Sequence, residues 1–202
     1  TYIEKILSSY ERMFESKPSK RVDCPMQPKE HPELDEGPDC DDDQRKQFQS
    51  LIGMLQWAVT LGRMDIHCAV MTLSPFRANP KIKHLERVKR VFSYLRNYKN
   101  SAIRFKTGIP DYSHVTIEEQ DWEKVYGESS EEISPDMPEP KGKPVRCTTF
   151  VDASLMHDKL TGKSATGIIH MVNQTPVEWY SKKQATVESA TYGSEFVAAR
   201  VA

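Results

Sequence analysis

The sequence predicts an α+β protein, with a helical region first and then a three-stranded antiparallel meander followed by one helix. Three observations carry this. Apolar residues recur at helical spacing through residues 1–16 and 44–99. The period shortens to two from Cys147 onward. Between these stretches, residues 107–146 hold ten acids, four bases and five prolines, the composition of a linker or insert and not of a core. The 202 residues therefore divide into a helical region (1–106), an acidic, proline-containing linker (107–146) and a strand-rich region (147–202).

Each element has its own local reason. In residues 1–16, Ile3, Ile6, Leu7, Tyr10 and Phe14 fall on one helical face. Residues 17–43 read as a loop with five prolines and an acidic run from Glu30 to Asp43. The cluster DCDDDQ lacks the turn glycine and distal glutamate of a calcium loop, and its acids suit the positive end of the helix that follows. Cys24, His31 and Cys40 match no zinc spacing and read as ordinary loop residues. Phe48, Leu51, Ile52, Leu55 and Val59 form one stripe. Ile66, Ala69, Val70 and Leu73 form a second, with Asp65 as the expected cap. A third helix is expected to start with Asn79 as cap and Pro80 at its first position, burying Leu85, Val88, Val91, Phe92 and Leu95.

In the last region, Cys147–Asp152, Thr166–Val172 and Pro176–Ser181 are the expected strands. A helix follows from about Ser189. Thr191, Glu195, Ala198 and Ala202 share one of its faces, small apart from Glu195, so that face could approach a sheet closely and carry Glu195 to it. Ala190, Val197 and Val201 make a second apolar face, which expects a neighbour of its own.

Charge is balanced overall, 28 Lys+Arg against 29 Asp+Glu, so only its distribution is informative. From Arg77 to Lys106 there are ten cations and one acid, Glu86. Lys83, Arg87, Arg90 and Arg96 on the third helix are candidates for phosphate contact along a nucleic-acid backbone; a solvated helix face is the alternative. No apolar run approaches the roughly 18 residues of a membrane span, so no membrane partner is expected. The start TYIEKILSSYERMF has neither the basic region nor the apolar run of a secretory signal, and it opens at Thr1 like a piece of a longer chain. Four scattered cysteines without C-x-x-C point to reduced thiols in the cytoplasm or nucleus.

Asp152 is unexpected where it stands. It follows Thr148, Phe150 and Val151 in a strand, although Asp is disfavoured in strands and a carboxylate is costly to bury unpaired. A strand ending in Asp152, two further strands and a helix bearing Glu195 can bring two carboxylates together. Such a pair suits a hard cation such as magnesium.

The residues also carry a family resemblance. VDAS, HDKLTGKSATG and TPVEWYSKKQATVESATYGSEFVAA resemble, in order, the start of the ribonuclease H domain of copia-type long-terminal-repeat retrotransposon polyproteins. That family has an aspartate-bearing first strand, a K-S-T-S-G-like turn, a W-x-S-K-K-Q strand and a helix ending in A-E-Y. YIEKIL and CPMQP resemble the segment after the polymerase palm, and FQSLIGMLQWAVTLGRMDIHCAVMTLSPFRANPKIKHLERVKRVFSYLR resembles the reverse-transcriptase thumb and connection. The match covers nearly the whole chain except 107–146.

The resemblance implies a helical thumb/connection region followed by a partial, truncated ribonuclease H-like domain. It makes Asp152 and Glu195 catalytic magnesium ligands in hydrolysis of the RNA strand of an RNA–DNA hybrid. Lys182 and Lys183 become candidate phosphate contacts, with an exposed strand end as the alternative. The rest of the polyprotein becomes a partner. Ser154 stands where many relatives have a second Asp, and Met64 replaces the usual Pro before Asp65. The family's polymerase aspartates would precede Thr1 and its third ribonuclease H aspartate would follow Ala202. Asp158 comes too early to replace that aspartate, and Glu188 precedes the helix. The 202-residue chain alone is therefore expected to lack polymerase activity and to show little or no nuclease activity. The alternative is a degenerate or co-opted, non-catalytic module that binds nucleic acid or protein.

Overall fold

The computed structural model describes residues 1–19, 22–116, 121–127 and 134–202. Its helices are α1 (Tyr2–Phe14), α2 (Asp42–Thr60), α3 (His67–Leu73), α4 (Ile82–Asn97), α5 (Trp122–Tyr126) and α6 (Thr191–Ala199). Its strands are β1 (Cys147–Ser154), β2 (Ala165–Val172) and β3 (Thr175–Lys183).

The apolar stripes meet as expected. Phe48, Leu51, Ile52 and Leu55 of α2, Val70 and Leu73 of α3, and Val88, Val91, Phe92 and Leu95 of α4 form one buried cluster with Ile3, Ile6, Leu7 and Tyr10 of α1. The acidic start of α2 acts as its composition suggests. The Asp41 carboxylate accepts from Gln44 N–H at 2.8 Å, and Gln44 Oε1 accepts from Asp41 N–H at 3.0 Å. This reciprocal cap satisfies two backbone donors that the helix itself cannot. Asp41→Ala is expected to cost about 1 kcal/mol of stability, read as a lower urea midpoint.

Two helix starts differ from expectation. Asp65 does not cap α3. It lies in a 3₁₀ turn, Met64–Ile66, where its two oxygens accept from Arg63 at 2.9 and 2.7 Å. A guanidinium fork on a carboxylate outcompetes a neutral backbone N–H, and α3 begins at His67 without a side-chain cap. Likewise α4 starts at Ile82 and not at Pro80. Residues 80–82 are held instead against the loop before α2: Cys40 N–H donates to the Pro80 carbonyl at 2.9 Å and Ile82 N–H to the Pro38 carbonyl at 3.0 Å.

His84 then completes the start of α4. Its Nδ1 accepts from Lys81 N–H at 3.1 Å, so the proton sits on Nε2, which donates to the Pro32 carbonyl at 2.9 Å. Burial, with Arg87 and Lys81 nearby, depresses its pKa against the opposing pull of Pro32 and Asp35. His67 and His157 are depressed by burial as well. A histidine held neutral in the fold stabilises it above the unfolded-state pKa of about 6.5, and that contribution is lost as pH falls below it. Urea midpoints are therefore expected to drop between pH 7.5 and 5. His84→Gln should remove part of that drop.

The three strands form an antiparallel sheet in the order β1-β2-β3. Asp152 lies opposite Gly167, which lies opposite Ser181. Period-two alternation puts Val151 and Ala153 on one face and Phe150, Asp152 and Ser154 on the other. α6 packs on β1 and β2. Gln184 fixes it there, with Nε2 donating to Thr166 Oγ1 at 3.0 Å and to the Ser194 carbonyl at 2.9 Å. Small residues of α6 do face the sheet: Ala198, as expected, and Ser194, which lies outside the expected face. Of the rest of the expected face, Thr191 is exposed and Glu195 half-buried. The outer edge of β1 pairs with no strand among the described residues.

The sheet is tied to the helices. Trp179 of β3 packs on the helical core. In the β1–β2 loop, His157 Nε2 and Thr72 Oγ1 lie 3.2 Å apart, and Lys159 N–H donates to Glu33 Oε1 at 2.8 Å. The linker, expected to lack structure of its own, contains the short α5. Its start is anchored at the β2–β3 turn: Lys106 N–H donates to Thr175 Oγ1 at 2.8 Å and Asn173 Nδ2 to the Thr107 carbonyl at 2.8 Å. Asn173 has φ 54°, a left-handed conformation that Asn tolerates.

Candidate catalytic carboxylates and basic surfaces

Asp152 is an exposed residue near the end of β1, on the strand face shared with Phe150 and Ser154. It opens on a cavity of about 610 Å³ between the sheet and α3, lined also by His67, Cys68, His157 and Trp179. Glu195 sits mid-helix on α6, half-buried. β1 and α6 are in contact, but the residue beside Asp152 that is buried is Ala153, on the opposite strand face. Among the described residues, neither side chain has a hydrogen-bond or ion-pair partner, and no group of three or more His, Cys, Asp or Glu side chains could hold a metal ion. Two carboxylates can supply part of a magnesium shell, with water and substrate phosphates filling the rest, but no third protein ligand stands beside them among the described residues.

Asp158 has a different occupation. It is buried, it pairs with Lys183, and its Oδ1 accepts from Leu160 N–H at 3.0 Å and Thr161 N–H at 2.9 Å. Burial would raise its pKa, but Lys183 and the loop amides outweigh burial and lower it. Lys183 is thereby committed within the fold. Lys182 is exposed and has no ion-pair partner among the described residues.

The basic helix is largely occupied as well. Arg87 pairs with Asp35 and, at 3.4 Å, with Glu30. Arg90 Nη2 donates to Cys24 Sγ at 3.4 Å, and Arg96 donates to the Pro18 carbonyl. Asn97 Nδ2 adds a bond to the Val22 carbonyl at 2.8 Å. These contacts hold the acidic, proline-rich loop 17–43 along α4, so the opposite charges of the two segments meet inside one chain. Of the four cations singled out on α4, Lys83 is exposed and free of an ion pair among the described residues.

A second cavity, of about 930 Å³, lies between α2, α3 and the free edge of β3. Arg77, Lys182, Lys183, Glu178, Trp179 and His67 contribute to its lining. In the sequence Arg77 is one member of the basic run among ten. Nothing local distinguishes it, because the partner surface is a strand one hundred residues away. Among the described residues, no helix is long and apolar enough to cross a membrane.

Several known proteins are similar to this chain. A putative Ty5-1 transposon protein of Saccharomyces cerevisiae is 34% identical over 61 residues, covering 30% of this chain and 20% of that protein. The Retrovirus-related Pol polyprotein from transposon TNT 1-94 of Nicotiana tabacum is 26% identical over 152 residues, 75% of this chain. The Pol polyprotein from transposon RE1 of Arabidopsis thaliana is 26% identical over 178 residues, 88% of this chain. This chain is a relative of retrotransposon Pol polyproteins. The Pol-related sequence runs from helices into sheet, since a match over 88% of the chain cannot be confined to either. The chain spans only 9% and 10% of the lengths of the two Pol polyproteins. Secreted RxLR effector protein 161 of Plasmopara viticola is also similar, 22% identical over 151 residues and 82% of its length. No family model matches the chain, and no solved structure matches it.

Proposed function

We propose that this Pol-related chain comes from a copia-type element. In this reading residues 1–106 are reverse-transcriptase thumb and connection, 107–146 a linker, and 147–202 the first part of a ribonuclease H domain. The parent copies RNA into DNA and hydrolyses the RNA of RNA–DNA hybrids. Asp152 and Glu195 are its contribution to a magnesium site completed by residues outside 1–202. Asp152 and Glu195 would hold such a metal in part, and its chemistry there would be activation of water and stabilisation of the leaving oxygen. The two carboxylates belong to adjoining elements, β1 and α6, with Asp152 on the strand face opposite the buried Ala153.

The observation that carries this reading is order. A carboxylate-bearing first strand, an antiparallel meander ending in WYSKKQ and a helix bearing Glu195 follow one another as the resemblance requires. The Pol-named relatives favour it over a non-catalytic interaction module. The test is to sequence the transcript on both sides of this coding segment. The expected result is one reading frame, with a Tyr-x-Asp-Asp type motif upstream and a further strand bearing a carboxylate downstream. A stop codon directly after Ala202 would overturn the catalytic assignment.

A further inference from the structure

The groove between α2, α3 and the free edge of β3 combines unspent cations, an open strand edge and an aromatic ring. Two cations stand at it unspent: Lys182 has no ion-pair partner among the described residues, and the Arg77 guanidinium bonds only through Nε, to the carbonyl of Ser74 in its own turn. His67 contributes to its lining. Along one wall, β3 is an edge strand whose outer backbone groups pair with no strand among the described residues. Trp179 adds an aromatic surface and Glu178 a single acid. Lys183 adds little charge, being paired with Asp158.

Cations beside an aromatic ring in a confined cleft are what single-stranded nucleic acid requires, with phosphates on the cations and a base against the ring. The volume, about 930 Å³, lies near the upper end of small-molecule clefts and is far too small to admit a duplex. The arginines of α4 that would otherwise bind a backbone are engaged with loop 17–43. We propose that this groove seats an extended single strand of nucleic acid, with Arg77 and Lys182 as its phosphate contacts. This rests on the nucleic-acid reading above and moves its contact surface from α4 to the edge of β3.

The test is fluorescence anisotropy with the full 202-residue chain, using a labelled twelve-nucleotide oligo-dT and a blunt duplex of the same length. Titrations run between 50 and 200 mM NaCl. The single strand should bind more tightly than the duplex. The double variant Arg77→Ala/Lys182→Ala should bind it about tenfold more weakly at 50 mM salt, with a log–log salt slope shallower by about 1.4, two phosphate contacts' worth. Lys83→Ala should change affinity less than about twofold. The charge-conserving Arg77→Lys/Lys182→Arg should retain binding, which separates lost contacts from lost folding. If the chain binds single strands but the double variant matches it, or if Lys83→Ala is the damaging change, the groove is not the site. Preference for the duplex also overturns it. If the chain binds neither form, the nucleic-acid reading itself falls for this chain.

Discussion

Phe92→Ala should lower the unfolding free energy of the helical region by about 3–5 kcal/mol, the cost of emptying a fully packed aromatic site. Phe92 is 0% exposed and stacks on Tyr10, ring centroids 5.2 Å apart. It thus joins α4 to α1 across the centre of the cluster that also holds α2. Against the roughly 5–15 kcal/mol that holds a typical domain, such a loss is a large fraction of the total. Phe92→Leu keeps most of the volume and should cost less than about 1.5 kcal/mol. Far-UV circular dichroism in a urea series measures both. Equal midpoints for Phe92→Ala and the parent chain would mean that α1 and α4 do not share this core.

Asp65→Ala is expected to be nearly as damaging, about 3 kcal/mol. Breaking a buried pair leaves its partner charged and unsolvated, and Asp65 is exposed enough to place the effect at the low end. Arg63 is buried and has Asp65 as its described acidic partner, while its Nη1 already lacks a hydrogen bond. Removing both charges with Arg63→Met/Asp65→Ala should recover much of the loss. Burial pushes the Asp65 carboxyl up, but Arg63 and the Tyr94 hydroxyl outweigh it, so the pKa is lowered. That contribution is present above the unfolded value of about 3.9 and is lost as pH falls through the lower folded value. Tyr94 has the opposite sign. Burial and Asp65 raise its pKa to about 12. Its contribution is full below the unfolded value of about 10 and disappears as pH rises towards 12. Stability in Asp65→Ala should therefore lose part of its alkaline dependence, which a urea series at pH 9 and 11 would show.

The helical core was legible because its period is local. Phe48, Leu51, Ile52 and Leu55 announce a buried face through their spacing alone, and all are fully buried. The meander was legible in the same way, from alternation and an Asn-containing turn, and its strands extend one to three residues beyond the expected ends. The fates of the arginines on α4 were not. Arg87, Arg90 and Arg96 meet Asp35, Cys24 and Pro18 at separations of 52, 66 and 78 residues. No window of sequence contains both partners, so an intramolecular staple and a nucleic-acid face look alike. The two helix starts failed for different reasons. Pro80 carries a valid start signal, but the loop at 38–40 holds the backbone beside it, whereas Asp65 is taken by Arg63, only two residues away in the sequence. At the candidate site, which elements adjoin was readable from order. That Ser194 joins Ala198 against the sheet was not readable, because its carbonyl is met by Gln184 from outside the helix.

The most direct measurement is cleavage of a labelled RNA–DNA hybrid by the parent Pol polyprotein segment, polymerase through ribonuclease H, with and without magnesium. The predicted result is magnesium-dependent cutting of the RNA strand, lost in both Asp152→Asn and Glu195→Gln. The loss should exceed the roughly 100-fold that removing a supporting group near a metal costs, while circular dichroism stays unchanged. Full cleavage by either variant would contradict the assignment of Asp152 and Glu195. Cleavage absent from the unmodified segment would contradict the ribonuclease H reading of residues 147–202.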